Sequence, residues 1–179
     1  MITTDNQDSM LMLTYSMRKV SVAEQYYKMK TEMLQVAVAR EIFQELIDDE
    51  MQHRELIRGL LEQIESGTSK PDLENYRTME PKKRIESLFD GHKNDMPPSP
   101  DDKADAINAL KFALIMEQKS FNIFSESACD ICDNDAAEVY IFLAEEENKH
   151  YNMIKNAMVY VENPMIWFYN AEDLVYRQG

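Results

Sequence analysis

A chain of 179 residues with 33 acidic and 19 basic side chains carries a formal net charge of −14, which argues against a nucleic-acid backbone or an anionic membrane surface as its partner. Four glycines and six prolines are too few for a many-turned β fold, and no G-x-G-x-x-G or Walker-type phosphate loop occurs. The length suits one domain that buries its core without staples, and the two cysteines, Cys129 and Cys132, make no disulfide framework.

In chain order, the N-terminal Met-Ile-Thr-Thr-Asp-Asn-Gln-Asp has neither the basic nor the apolar region of a signal peptide. No apolar run approaches the roughly 18 residues of a membrane span, so the expected location is cytoplasmic. Residues 9–65 are apolar-periodic and offer no glycine or proline where two helices would join. A turn near Glu32–Gln35 is expected there only from the internal repeat described below. The stretch 66–101 then collects Gly67, Pro71, Pro81, Gly91, Pro97, Pro98 and Pro100 and reads as a long crossover. Within it, Pro81 can open a short helix over Lys82 to Phe89. The run Lys82-Lys83-Arg84 is expected to be that segment's solvated face, and His92 to be solvated as well. Residues 102–162 form a second periodic block, broken at Cys132-Asp-Asn-Asp135, where Asp or Asn can cap the following helix. A C-terminal segment, 163–179, begins with the apolar cluster Pro164-Met-Ile-Trp-Phe-Tyr169.

The two blocks repeat one another. Displaced by 97 residues, Ala39, Glu41, Leu46, Glu50, His53 and Ile57 fall on Ala136, Glu138, Leu143, Glu147, His150 and Ile154, and the acidic pairs 48/145 and 49/146 also correspond. Two helices, a long crossover and two more helices make an all-α, antiparallel four-helix bundle the expected fold, with hairpins 9–65 and 102–162 in a single domain.

On the inward stripes, ionisable residues stand where apolar ones belong. The second helix reads Phe43, Leu46, Glu50, His53, Ile57, Leu60; the fourth reads Val139, Leu143, Glu147, His150, Ile154; the third carries Glu117 between Leu114 and Phe121. A buried carboxylate without a partner costs several kcal/mol, so such groups pair or bind metal. Glu-x-x-His places carboxylate and imidazole on one helix face, and two such motifs plus glutamates from the other helices are the di-iron carboxylate arrangement. The plainer alternative is two buried Glu–His pairs that satisfy each other and fix the register of the core. Thirteen methionines read as flexible core filler. Cys129-Asp-Ile-Cys132 supplies too few thiolates for a zinc or rubredoxin-type site and reads as two incidental cysteines.

Glu117 followed seven residues later by Phe124, then Leu143-Ala-Glu-Glu-Glu-Asn-Lys-His150, with Phe43-Gln-Glu-Leu-Ile-Asp-Asp-Glu-Met-Gln-His53 repeating the last part, resembles the rubrerythrin branch of the ferritin-like superfamily. The resemblance covers both blocks. It implies a ferritin-like bundle holding two iron ions, with manganese or zinc as possible substitutes, and an oxidoreductase acting on peroxide or dioxygen. Glu50, His53, Glu117, Glu147 and His150 carry over as metal ligands. The rival reading is a non-enzymatic metal-binding or scaffold protein with a degraded site. The pattern departs from the family at the first helix, where Val20 stands opposite Glu117 and Tyr27 opposite Phe124. Glu24 lies about one turn, 6 Å, from Val20 on the same stripe; it either replaces the missing ligand or is an ordinary partly buried glutamate. The two metal positions are therefore expected to be unequal. The paired Cys-x-x-Cys motifs of a rubredoxin module are missing, so electrons would come from an external donor and pass to a small-molecule oxidant. The resemblance also makes a homodimer the expectation, with the 164–169 cluster either at its contact or closing the open end of the bundle.

Overall fold

The computed structural model describes residues 4–66, 71–76, 81–92, 95–96 and 98–165. It is helical throughout, with no strand among the described residues: α1 Thr4–Met33, α2 Ala37–Ser66, a 3-10 turn Leu73–Tyr76, α3 Pro81–Gly91, α4 Pro100–Asp130 and α5 Asn134–Glu162. α1 packs along α2 and α4 along α5, and the two hairpins meet through α2–α5 and α1–α4. This is the bundle of two helical hairpins that the sequence pattern implied. α3 lies against α5 and α2 and covers one side of the bundle.

The helix boundaries follow from local chemistry. α1 and α2 are joined by Leu34-Gln35-Val36 alone, without glycine. The carbonyls of the joining residues are instead taken by Arg40, whose Nη1 donates to Leu34 O at 3.2 Å and Gln35 O at 3.3 Å. Leu34 and Val36 bury their side chains on either side of the turn, so a guanidinium and two apolar plugs do what a left-handed glycine does elsewhere. α4 starts at Ser99, whose Oγ accepts from Asp102 N at 3.1 Å, with Pro100 at the first position. α5 starts at Asp133, whose Oδ1 accepts from Ala136 N at 2.8 Å. α3 begins at Pro81, as its sequence suggests.

The core falls into two apolar halves with a polar layer between them. One half gathers Tyr27, Phe43, Leu46, Leu110 and Ile154, together with Phe89 of α3, whose ring stacks on Tyr160 at 4.4 Å. The other gathers Leu13, Val20, Leu56, Leu60, Phe124, Val139 and Tyr140. The methionines fill the core in part: Met153 is buried and Met12, Met17, Met116 and Met158 pack against the core, while Met29, Met33, Met51, Met96 and Met165 are exposed. One expectation changes: His92 is not simply solvated. Its Nδ1 lies 2.6 Å from Asp95 and its Nε2 3.0 Å from Glu41 of α2, which ties the crossover to the first hairpin. Cys129 and Cys132 are exposed and unpaired at the end of α4. Of the C-terminal cluster 164–169, Pro164 and Met165 are exposed, and residues 166–179 lie outside the described set.

Candidate metal centre

The polar layer is built from α2, α4 and α5. Glu50 and His53 of α2, Glu117 of α4, and Glu147 and His150 of α5 are each at most 1% exposed. Each lies on a stripe that is otherwise apolar, so helix periodicity drives it inward. Glu50, Glu117, Glu147 and His150 bring one ligand atom apiece to within 4.8 Å of one another. His53 faces the same carboxylates from the other side, its Nδ1 3.2 Å from Glu147 Oε1 and 3.8 Å from Glu50 Oε2. The two imidazoles stack with centroids 5.3 Å apart, across the pseudo-two-fold axis the repeat implies.

The donor atoms suit a cation better than they suit one another. Glu50 Oε2, Glu117 Oε2, both Glu147 carboxylate oxygens, His53 Nδ1 and His150 Nδ1 are buried without a hydrogen-bond partner. Unsatisfied buried polar atoms are rare and call for a cause. Burial, and then the negative charges of Glu50 and Glu117, push the Glu147 carboxyl well above its usual range. Three carboxylates in an enclosed site repel unless a positive charge sits among them. The carboxylate and imidazole donors, without thiolate, fit iron or manganese.

The surroundings of the two histidines differ. His150 Nε2 donates to Asp49 Oδ2 at 3.0 Å, which fixes the tautomer and turns Nδ1 toward Glu117, 3.5 Å away, and Glu50, 4.0 Å away. Asp49 in turn accepts from Arg84 Nη1 of α3, while Arg84 Nε donates to Glu45 at 2.5 Å. Burial alone would raise the Asp49 carboxyl, but the hydrogen bonds and charges of His150 and Arg84 outweigh it and hold it at about 2. Metal-binding histidines characteristically donate their remote N–H to a carboxylate in this way. By contrast, His53 Nε2 has no hydrogen-bond partner among the described residues. The repeat counterpart of Asp49 is Glu146, which is also buried and whose Oε1 accepts from Lys149 at 2.8 Å.

The first helix brings a phenol rather than a carboxylate. Tyr27, fully buried, donates its hydroxyl to Glu117 Oε1. Burial and the charge of Glu117 raise its pKa well above the usual phenol value, so it stays a donor. Val20, at the repeat position of Glu117, is buried in the apolar half of the core. Glu24, the sequence candidate for the missing ligand, is buried too, but its carboxylate is engaged by Lys28 Nζ at 2.5 Å and by Arg54 Nη1. The structure does not bring it to the other carboxylates.

Sequence reasoning found the five converging residues and missed three that orient them. Arg84 belongs to a run that reads as a solvated face, yet its side chain is 13% exposed and turned to Glu45 and Asp49. Asp49 left a trace in the conserved acidic pair 49/146, and Tyr27 left one in its alignment with Phe124. Nothing local to either shows that their partners lie about a hundred residues away.

No helix among the described residues is long and apolar enough to cross a membrane. No curated protein and no solved structure matches the chain. A family model described as rubrerythrin matches residues 12–158, a span that takes in both Glu-x-x-His motifs, Glu117 and Tyr27. The buried carboxylate and histidine cluster, the four-helix frame and that match together identify the chain as a member of the rubrerythrin family.

Proposed function

We propose that the protein is a non-haem di-iron oxidoreductase that reduces peroxide or dioxygen with electrons from an external donor. The observation that carries this reading is the convergence of Glu50, Glu117, Glu147 and His150 on one buried point with their donor atoms unpaired. In this reading Glu50, Glu117, Glu147, His150 and His53 would hold the two ions, without a carboxylate from α1. Iron bound there would supply the two electrons that, with two protons, reduce peroxide to two waters. The protein's own part is to exclude bulk water through the apolar layers above and below, and to hold His150 in one tautomer through Asp49 and Arg84. Tyr27 fixes Glu117 by a hydrogen bond to one oxygen and leaves the other facing the site. The side where Val20 replaces a carboxylate offers fewer ligands, which leaves room for a small oxidant.

Val20 also favours a second reading, a metal-binding protein without turnover. Anaerobic ferrous titration followed by peroxide separates the two. The oxidoreductase binds two ions per chain and develops a di-ferric absorption band that an added reductant bleaches. One bound ion, or two ions inert to peroxide, would sink it.

A further inference from the structure

The seam between α1 and α4 opens outward into a cleft of about 410 Å³. Tyr26, Lys30 and Met33 of α1 line one wall, and Asp105, Asn108 and Phe112 of α4 line the other. The rings of Tyr26 and Phe112 lie 4.8 Å apart. The Tyr26 hydroxyl donates to Ala109 O at 3.1 Å, which ties its ring to α4. Lys30 Nζ sits over the same ring, 5.5 Å from its centre. Phe112 is 51% exposed, so half of a large apolar ring is open to whatever enters.

The cleft is joined to the core. Consecutive helical residues diverge by about 100°, so Tyr26 faces the seam while Tyr27 points inward. Their rings still meet edge to face, with centroids 5.8 Å apart and planes at 71°. Tyr27 in turn donates its hydroxyl to Glu117 Oε1. Two aromatic rings in contact thus connect the outer cleft with a carboxylate of the candidate metal centre. The repeat offers no second such path, because Ile123 and Phe124 stand at the positions of Tyr26 and Tyr27. The lining also selects a ligand. The exposed ring favours a flat aromatic molecule. Lys30 and Asp105, of opposite charge and on opposite walls, favour a neutral one with hydroxyl groups: an O–H donates to Asp105 and an oxygen accepts from Lys30 or Asn108. A phosphate-bearing donor would meet Asp105 and a chain of net charge −14.

We propose that the α1–α4 cleft binds a neutral aromatic diol of the hydroquinone class, whose electrons reach the metal centre across the rings of Tyr26 and Tyr27. The proposal rests on the di-iron reading above and supplies its external donor. Each diol loses its two O–H hydrogens and becomes a dione, releasing two electrons and two protons. The electrons return the oxidised iron to the ferrous state, and the protons leave by way of the exposed Asp105. Peroxide takes up two electrons and two protons to give two waters, so the exchange balances. Neither phenol is consumed, since the rings act only as a bridge.

Calorimetric titration of the metal-free protein with naphthohydroquinone under nitrogen tests the cleft. One equivalent binds per chain, and Phe112→Ala weakens binding by about tenfold or more. Asp105→Ala weakens it as well. Both positions are exposed, so unchanged helical circular dichroism verifies the fold. Stopped-flow reduction of the iron-loaded, peroxide-oxidised protein tests the bridge. Tyr27→Phe and Tyr27→Leu both lose the bond to Glu117, but only the first keeps the ring. The diol therefore reduces the Leu variant several-fold more slowly than the Phe variant, while dithionite reduces both alike. Tyr26→Leu, at saturating diol, shows the same slowing without touching the bond to Glu117. An absence of binding, or binding indifferent to Phe112→Ala, overturns the site. Tighter binding of reduced flavin mononucleotide overturns the ligand class, and rates unchanged by loss of either ring overturn the bridge. A protein that binds the diol yet forms no di-ferric band with peroxide sinks the proposed activity and the bridge with it, while the cleft stands as a binding site.

Discussion

The His150 side and the His53 side of the centre arise from the same Glu-x-x-His motif on repeated helices, yet they are supported differently. His150 rests on Asp49, Asp49 on Arg84, and Arg84 reaches in from the crossover helix α3, which lies between the two hairpins. Glu117 completes that side and is held by Tyr27. Across the axis Val20 stands where a carboxylate would, and His53 Nε2 has no hydrogen-bond partner among the described residues. A repeat supplies two copies of a ligand motif, but orientation comes from groups outside the motif. One insertion, the crossover, can therefore make two equal half-sites unequal.

The largest expected effect is on the complete side. On the proposed di-iron reading, Glu117→Ala removes a candidate ligand and frees Tyr27, and should lower affinity for the tighter ion by at least about 100-fold. Anaerobic ferrous titration reads this directly, and two unchanged sites would break the comparison. Val20→Glu should sharpen it in the opposite direction. It gives the His53 side the carboxylate it lacks, so the weaker ion should bind about tenfold tighter or better. The metal-free variant, with one more buried charge, should melt several degrees lower. A variant that melts low and gains no affinity would show that Val20 faces packing rather than metal.

Asp49→Asn keeps the shape but removes the charge that His150 and Arg84 share. Supporting groups of this kind are worth about 10- to 100-fold in metal affinity. The loss should fall on the tighter ion only, and equal loss at both sites would erase the distinction between the two sides. The smallest effect concerns the crossover itself. Burial opposes a charge on His92, but Asp95 and Glu41 outweigh it and raise its pKa above the ordinary 6.5. Its folded value exceeds its unfolded one, so its contribution is whole below about pH 6.5 and is lost as pH rises through the raised value. Both carboxylates are 54% exposed, so screening keeps the effect under about 1 kcal/mol. His92→Gln should lower the melting temperature by at most about 3 °C at pH 6 and leave it unchanged at pH 9. An equal shift at both values would assign His92 a packing role instead.

The bundle, its two hairpins and the five candidate ligands that converge in it were legible in the sequence because each is local. Helical periodicity fixes which face is inward, and i, i+3 spacing fixes that Glu50 lies beside His53 and Glu147 beside His150. The repeat also placed the α1–α2 turn, although the means of making it was hidden: Arg40 caps the carbonyls of Leu34 and Gln35, a role that neither composition nor spacing announces.

Only the tertiary structure decided which charges meet. Arg84 belongs to a basic run that looks like surface until α3 packs against the bundle and turns it toward Asp49. Glu24 lies on the inward stripe, yet its carboxylate pairs with Arg54 and Lys28. Tyr27 aligns with a phenylalanine in the repeat, but its hydroxyl reaches across to α4. The sequence determined the faces of the helices, since a face depends only on residues within a turn or two. The ends of long polar side chains, which span several ångströms and choose among partners on four helices, were settled by how those faces came together.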